Sequence, residues 1–235
     1  APLIEVPPPN SWRGIAAMPG VVAEVLRITN NPASDMEEVS RAIQMDPAMA
    51  AKILRVSNSS YYGMKQYVGT LKLALVILGV REVRNIVLGI TVFETLKQGR
   101  ADVTFAQQVW DNSLCVASVA RQLSARLKLG LQGEEFVAGL LSDIGKMVFL
   151  RQLGDEYLQI LQEAGNSPVQ QCIAELGEYG CSHSELAMAL AARWNLPQTL
   201  VDALWYQYPL ENCALKEATD PNLAAVLRVG KLALY

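Results

Sequence analysis

The sequence predicts an all-α protein. Nearly every long segment repeats its apolar residues at helical spacing, and the alternation expected of a half-buried strand bounded by turns is scarce. Composition adds that these helices can bury a core: 235 residues, 51% hydrophobic and 18% charged, describe a folded globular chain rather than a disordered one.

The opening APLIEVPPPN cannot enter a helix interior, because proline lacks a backbone donor and its ring meets the preceding turn; residues 1–17 read as a proline-rich arm. Pro19 then starts a first helix through Val21–Ile28, closed by Asn-Asn-Pro. Ser34 is an N-cap for DMEEVSRAIQM, whose first turn is acidic where the helix dipole favours it. Asp46 and Pro47 repeat the logic, one as cap and one at the first helical position, ahead of AMAAKILRVSNS. Tyr61-Tyr62-Gly63 follows that helix, and the two tyrosines are read either as packing or as partly exposed.

Thr70 caps LKLALVIL, and Gly79 breaks it from VREVRNIVLGITVFETLK. Beyond Gly99 the period resumes over about 103–129, then over 134–150, 155–164, 168–178, 183–193 and 198–206, with a last helix after Asp220-Pro221. A boundary near 98–101 divides an N-terminal helical subdomain, 18–100, from a second one, 101–235. No regular repeat is present.

The formal charge of −3, with lysine and arginine scattered, gives no footprint for nucleic acid. The apolar stretch 71–93 is interrupted by Lys72, Arg81, Glu82 and Arg84, so it reads as a pair of core helices rather than a membrane span. Cys115, Cys172, Cys181 and Cys213 form no CxxC pair and are expected to be buried free thiols in a reducing compartment. Without a basic segment leading into an apolar one at the start, the expectation is a cytoplasmic protein with no membrane partner.

Four motifs carry more information: DPAMAAKILRVSNSSYYG, LALVILGVREVRNIVL, GLLSDIGK and SHSELAMALAARWNLP. In this order they resemble the HDOD family, over most of the chain from about residue 18. The first motif supplies Asp46, Pro47, Asn58 and Ser59, expected to be structural. HDOD domains are similar to the HD superfamily of metal-dependent phosphohydrolases, all-α proteins that hold metal with a His, a His-Asp dyad and a distal Asp. The resemblance places the first ligand at Asn112, within Trp110-Asp111-Asn112-Ser113-Leu114, and the dyad at Ser142-Asp143. The distal position falls on Lys231 in VLRVGKLAL, and a histidine pair common in the preceding loop becomes Gln207-Tyr208. His183 is the chain's single histidine.

A hydrolytic metal centre needs several carboxylate and imidazole ligands and an open position for water. Asn112 and Ser142 offer neutral oxygens and Lys231 is a cation. At about 4 Å, and an effective dielectric of about 20, a lysine repels a divalent ion by roughly 8 kcal/mol. The expectation is therefore no metal, no cofactor, no catalytic residue, and a vestigial site of Asn112, Ser142, Asp143, His183 and Lys231. Either Lys231 replaces the metal as counter-charge to Asp143, or Asp143 accepts hydrogen bonds near a helix end while Lys231 is solvated. His183 is read as a hydrogen-bonded residue at a helix N-terminus, with relict ligand, phosphate contact or pH switch as alternatives. Ser113 and Ser142 lack the setting of a nucleophile. Trp194, Trp205, Tyr206 and Tyr208 either pack a core or anchor an interface.

The resemblance implies a bacterial signal-transduction module, catalytically inactive, that binds a partner protein or a small ligand such as a nucleotide or cyclic dinucleotide. A residual phosphohydrolase acting on such a nucleotide is the alternative.

Overall fold

A computed structural model describes residues 36–44, 47–58, 67–80, 82–84, 86–87, 89–90, 103–131, 133–210 and 214–234. The arm, the helix expected from Pro19, Ser34, Asp46, Ser59, Tyr61, Tyr62 and Cys213 lie outside them. Among the described residues all regular structure is helical and no strand occurs, as the periodicity predicts. They form two compact units, one within residues 18–95 and one within residues 96–235.

The first unit contains α1 (Met36–Gln44), α2 (Pro47–Ser57) and α3 (Leu71–Leu78), which pack on one another, followed by further helical residues between 82 and 90. α1 buries Val39 and Ile43, four apart on one face. Asn58 ties the end of α2 to the start of α3: its amide donates to the carbonyls of Leu54 and Val68, at 2.7 and 2.9 Å, and its oxygen accepts from the Val68 N–H at 2.7 Å. Thr70 caps α3 by accepting from the Leu73 N–H, and Gly79 ends it at φ +83°, a backbone conformation glycine adopts without cost.

The second unit is built on α4 (Val103–Leu127), crossed by α5 (Glu134–Leu141) and α11 (Pro221–Leu232). Small residues permit both crossings: a Cβ on Gly139 would overlap the Ala117 backbone, and one on Gly230 would press within 3.2 Å of Val116. α6 (Ile144–Leu153) and α7 (Asp155–Ala164) lead to α8 (Pro168–Tyr179), α9 (His183–Arg193) and α10 (Gln198–Trp205). Ser167, Ser182 and Asp220 cap α8, α9 and α11, with Pro168 and Pro221 in the first turn of their helices, and Glu185 completes a capping box on α9.

Two features differ from the sequence expectation. The helix expected over 134–150 is two helices, because Asp143 leaves helical geometry at φ −106°, ψ 13°. Cys115 is exposed on α4, whereas Cys172 and Cys181 are buried thiols as expected. The aromatic residues take the packing alternative, with Trp194, Tyr206 and Tyr208 buried. Among the described residues no helix is long and apolar enough to cross a membrane.

Candidate functional site

The break between α5 and α6 turns the Asp143 side chain into the core, where the residue is 1% exposed. Gly145 permits this, since a Cβ there would land on the carbonyl of His183. The first turn of α6 therefore lies directly against the first turn of α9, and the motif GLLSDIGK brings the carboxylate beside the imidazole.

Lys231, in the last turn of α11, donates to Asp143 Oδ2 at 2.6 Å and is 0% exposed. Of the two expectations for this lysine, solvation is the one that fails. Lys146, one turn beyond Asp143, puts its Nζ 3.4 Å from Asp143 Oδ1 and donates to Gln171 Oε1 at 2.9 Å. Gln171 in turn donates to the Gly165 carbonyl at 2.7 Å. The Tyr208 ring lies 5.6 Å from the Lys231 ammonium, within cation–π range.

His183 is the first residue of α9, as expected, and its Nε2 lies 3.8 Å from Asp143 Oδ1. Its Nδ1 meets Glu175 Oε2 at 2.7 Å, its backbone N–H donates to the same oxygen at 2.7 Å, and Tyr157 donates to Glu175 Oε1 at 2.7 Å. Its Nε2 lies 2.9 Å from the Tyr208 hydroxyl. One proton placed on Nδ1 satisfies both ring nitrogens: Nδ1–H donates to Glu175, and Nε2 accepts from Tyr208. The imidazole is then neutral and Glu175 is a carboxylate with three donors.

Protonation follows from these contacts. Burial alone would raise the Asp143 carboxyl, but the ammoniums of Lys146 and Lys231 hold it well below the ordinary carboxylate range. Burial pulls the Lys231 ammonium down to about 8 against the opposing pull of Asp143, which leaves it charged at neutral pH. Burial likewise lowers His183, against Glu175. Burial would raise Glu175, and His183 outweighs it, so this carboxyl is lowered. Burial and Glu175 push the Cys172 thiol and the Tyr157 phenol up, so both keep their protons. Asp143 and Glu175 thus face Lys146 and Lys231, and the charges in the cluster balance.

The donor set fits a divalent metal poorly. Asn112 is half-buried on α4, and no hydrogen bond or ion pair among the described residues joins it to Asp143. Ser142 is buried next to Asp143 with a neutral hydroxyl. Cys172, Glu175 and His183 do bring ligand atoms within 4.8 Å of one another. There, however, Glu175 already accepts three hydrogen bonds, the thiol is protonated, and both lysines lie within electrostatic reach of the sulfur.

Sequence reasoning found Asp143, His183 and Lys231, which the fold brings together. It missed the roles of Lys146, Gln171, Glu175, Tyr157 and Tyr208. Glu175 left a signal: Pro168, Gln171, Cys172 and Glu175 share the buried face of α8, so a carboxylate sits where an apolar side chain is expected.

Comparison with known proteins agrees with the all-helical fold. The chain is 24% identical to an HDOD domain protein of unknown function from Geobacter sulfurreducens, with a TM-score of 0.77 over 93% of this chain and 72% of that one. It is 25% identical to a protein from Shewanella amazonensis SB2B provisionally named a phosphohydrolase, with a TM-score of 0.73 over 92% and 75%. A Marinobacter aquaeolei VT8 protein provisionally named a signal transduction protein matches at 22% identity and a TM-score of 0.70, over 92% and 48%. In sequence, an uncharacterized protein of Treponema pallidum (strain Nichols) is 23% identical over an alignment of 199 residues, which covers 83% of this chain but only 38% of that relative. The sequence profile of the HDOD domain matches residues 15–210, and the chain belongs to the HDOD family.

Proposed function

We propose that the protein is a catalytically inactive signal-transduction module of bacteria, which works by binding a partner protein or a small regulatory ligand in the cytoplasm. The carrying observation is the Lys231 ammonium, fully buried and 2.6 Å from Asp143, the acid that remains of the family's His-Asp dyad. An ammonium there gives Asp143 its counter-charge and opposes a divalent ion at the same carboxylate. A second ammonium, Lys146, flanks the other oxygen. Without a metal to activate water, hydrolysis of a phosphoester would need a general base and a nucleophile, and the one imidazole is already committed to Glu175 and Tyr208. A relative named for signal transduction and one named for phosphohydrolysis share the fold, and the donor set favours the former use.

The test begins with metal analysis of purified protein and turnover assays on cyclic dinucleotides and generic phosphoesters with added manganese. No stoichiometric metal and no turnover are expected. Bound manganese, iron or zinc together with hydrolysis abolished by Asp143→Ala would establish the phosphohydrolase alternative instead. Calorimetry with the same nucleotides separates a ligand-binding module from one that binds protein alone.

A further inference from the structure

Helix α8 buries polar side chains and exposes apolar ones. A surface helix ordinarily buries apolar side chains and exposes polar ones. α8 instead buries Gln171, Cys172 and Glu175 against the charged cluster, while Ile173 is 49% exposed and Leu176 36% exposed. Half-buried Val169 extends this outer stripe at helical spacing, and a Cβ added at Gly177 would meet nothing within 4 Å, so the backbone there is open to close approach. The inward face is fixed by the site: Gln171 holds Lys146 and Glu175 holds His183. Apolar residues on the outer face have no such internal reason.

The surroundings of the stripe state what it would accept. α7, which packs beside α8, exposes Asp155, Glu156 and Glu163, and α8 itself exposes Glu178. Residues 152–192 contain no lysine or arginine. An apolar stripe with an acidic rim complements an amphipathic helix whose flanks are basic. A second copy of this chain would bring acidic rims together, and an anionic lipid surface would be repelled in the same way.

We propose that the outer face of α8, rimmed by the acids of α7, is the docking site for a basic amphipathic helix of a partner protein. The proposal rests on the reading of the protein as a partner-binding module and names the partner's chemistry. Docking places the partner one helix diameter from Glu175 and Gln171, the α8 residues that hold the cluster together.

The test titrates the intact chain against a labelled synthetic amphipathic helix of leucine and lysine, with a leucine and glutamate counterpart as control, followed by fluorescence anisotropy and by NMR shifts of the protein. Binding of the lysine peptide alone is expected, with shifts centred on α8 and affinity falling as salt rises. Ile173→Ser with Leu176→Ser should weaken it by about tenfold or more, the loss typical of central interface residues, with unchanged circular dichroism and melting temperature. Glu163→Lys with Glu178→Lys should weaken it as well. Equal binding of both peptides, undiminished binding by either double variant, or self-association abolished by the serine variant would each overturn the proposal. The two readings fail separately. A native partner still captured by the serine variant removes this surface and leaves the module reading, whereas metal-dependent turnover removes the module reading whatever the peptide does.

Discussion

Replacing Lys231 with methionine removes one charge from a balanced cluster, and its cost can be set from the geometry. At 2.6 Å the Lys231–Asp143 attraction is about 6 kcal/mol at an effective dielectric of about 20, before the desolvation of both ions is subtracted. Breaking one side of a buried pair typically costs about 3–5 kcal/mol, because the remaining ion is left uncompensated. Here Lys146 stays within 3.4 Å of the other carboxylate oxygen, so the lower end, about 3 kcal/mol, is expected. Asp143→Asn leaves the opposite excess, with two ammoniums facing Glu175 alone. Combining the two substitutions restores balance between Lys146 and Glu175, so the double variant should be more stable than the sum of the single losses by about 2 kcal/mol or more. Urea unfolding at pH 7, followed by tryptophan fluorescence, measures all four corners; Trp194 is buried within the same unit. Additivity within about 0.5 kcal/mol would show that Lys231 and Asp143 do not act as a pair and would refute the reasoning.

Gly145→Ala should destabilise by about 1–3 kcal/mol, since its Cβ meets the His183 carbonyl, whereas Gly177→Ala, with open space around it, should stabilise by up to about 1 kcal/mol; thermal melts compare them directly. Asp143 and Glu175 both ionise more readily in the folded chain than in the unfolded one, so the unfolded chain takes up protons first as pH falls. Their stabilisation is complete above the ordinary carboxylate values of 3.8 and 4.5 and is lost below them, and Glu175→Gln should flatten that part of the acid unfolding curve. Nitrogen NMR of the chain's single histidine should show a neutral imidazole protonated on Nδ1 at pH 6.5, and Tyr208→Phe should shift Nε2 and cost about 1–2 kcal/mol.

Much of this architecture is legible in the sequence, for physical reasons that differ by residue. Thr70, Ser167, Ser182 and Asp220 announce helix starts because capping is local chemistry, readable within three residues. The break at Ser142-Asp143 is not announced. Neither proline nor glycine stands there, and apolar spacing runs through it; what turns the chain is the contact of Gly145 with α9, thirty-eight positions on. The ambiguity over Lys231 has the same origin. Its partner is 88 residues away, and a lysine in the last turn of an amphipathic helix is ordinarily solvated next to the C-terminal dipole. Glu175 was readable on the buried stripe of α8, but only a structure shows that Tyr157 and the backbone of His183 are its donors.

In the proposed reading, an ammonium standing where relatives would hold a metal accounts for the charges that persist in this core. A divalent ion in the place of Lys231 would leave the cluster with an excess positive charge, since Lys146 already neutralises one of its two carboxylates. The single charge of Lys231 balances it. The three donors of an ammonium further allow Lys231 to link α11 to the α5–α6 turn, while Lys146, through Gln171, links α6 to α8, and Glu175, through His183, links α8 to α9. Replacing such a network by apolar side chains often preserves or raises stability, so stability alone does not account for it. Its distinguishing property is that four helices must keep their relative positions for every donor to find its acceptor. A shift of α8 by even half a turn would separate Glu175 from His183 and Gln171 from Lys146 together, leaving buried charges without partners. The polar face of α8 thus fixes where the apolar one is presented.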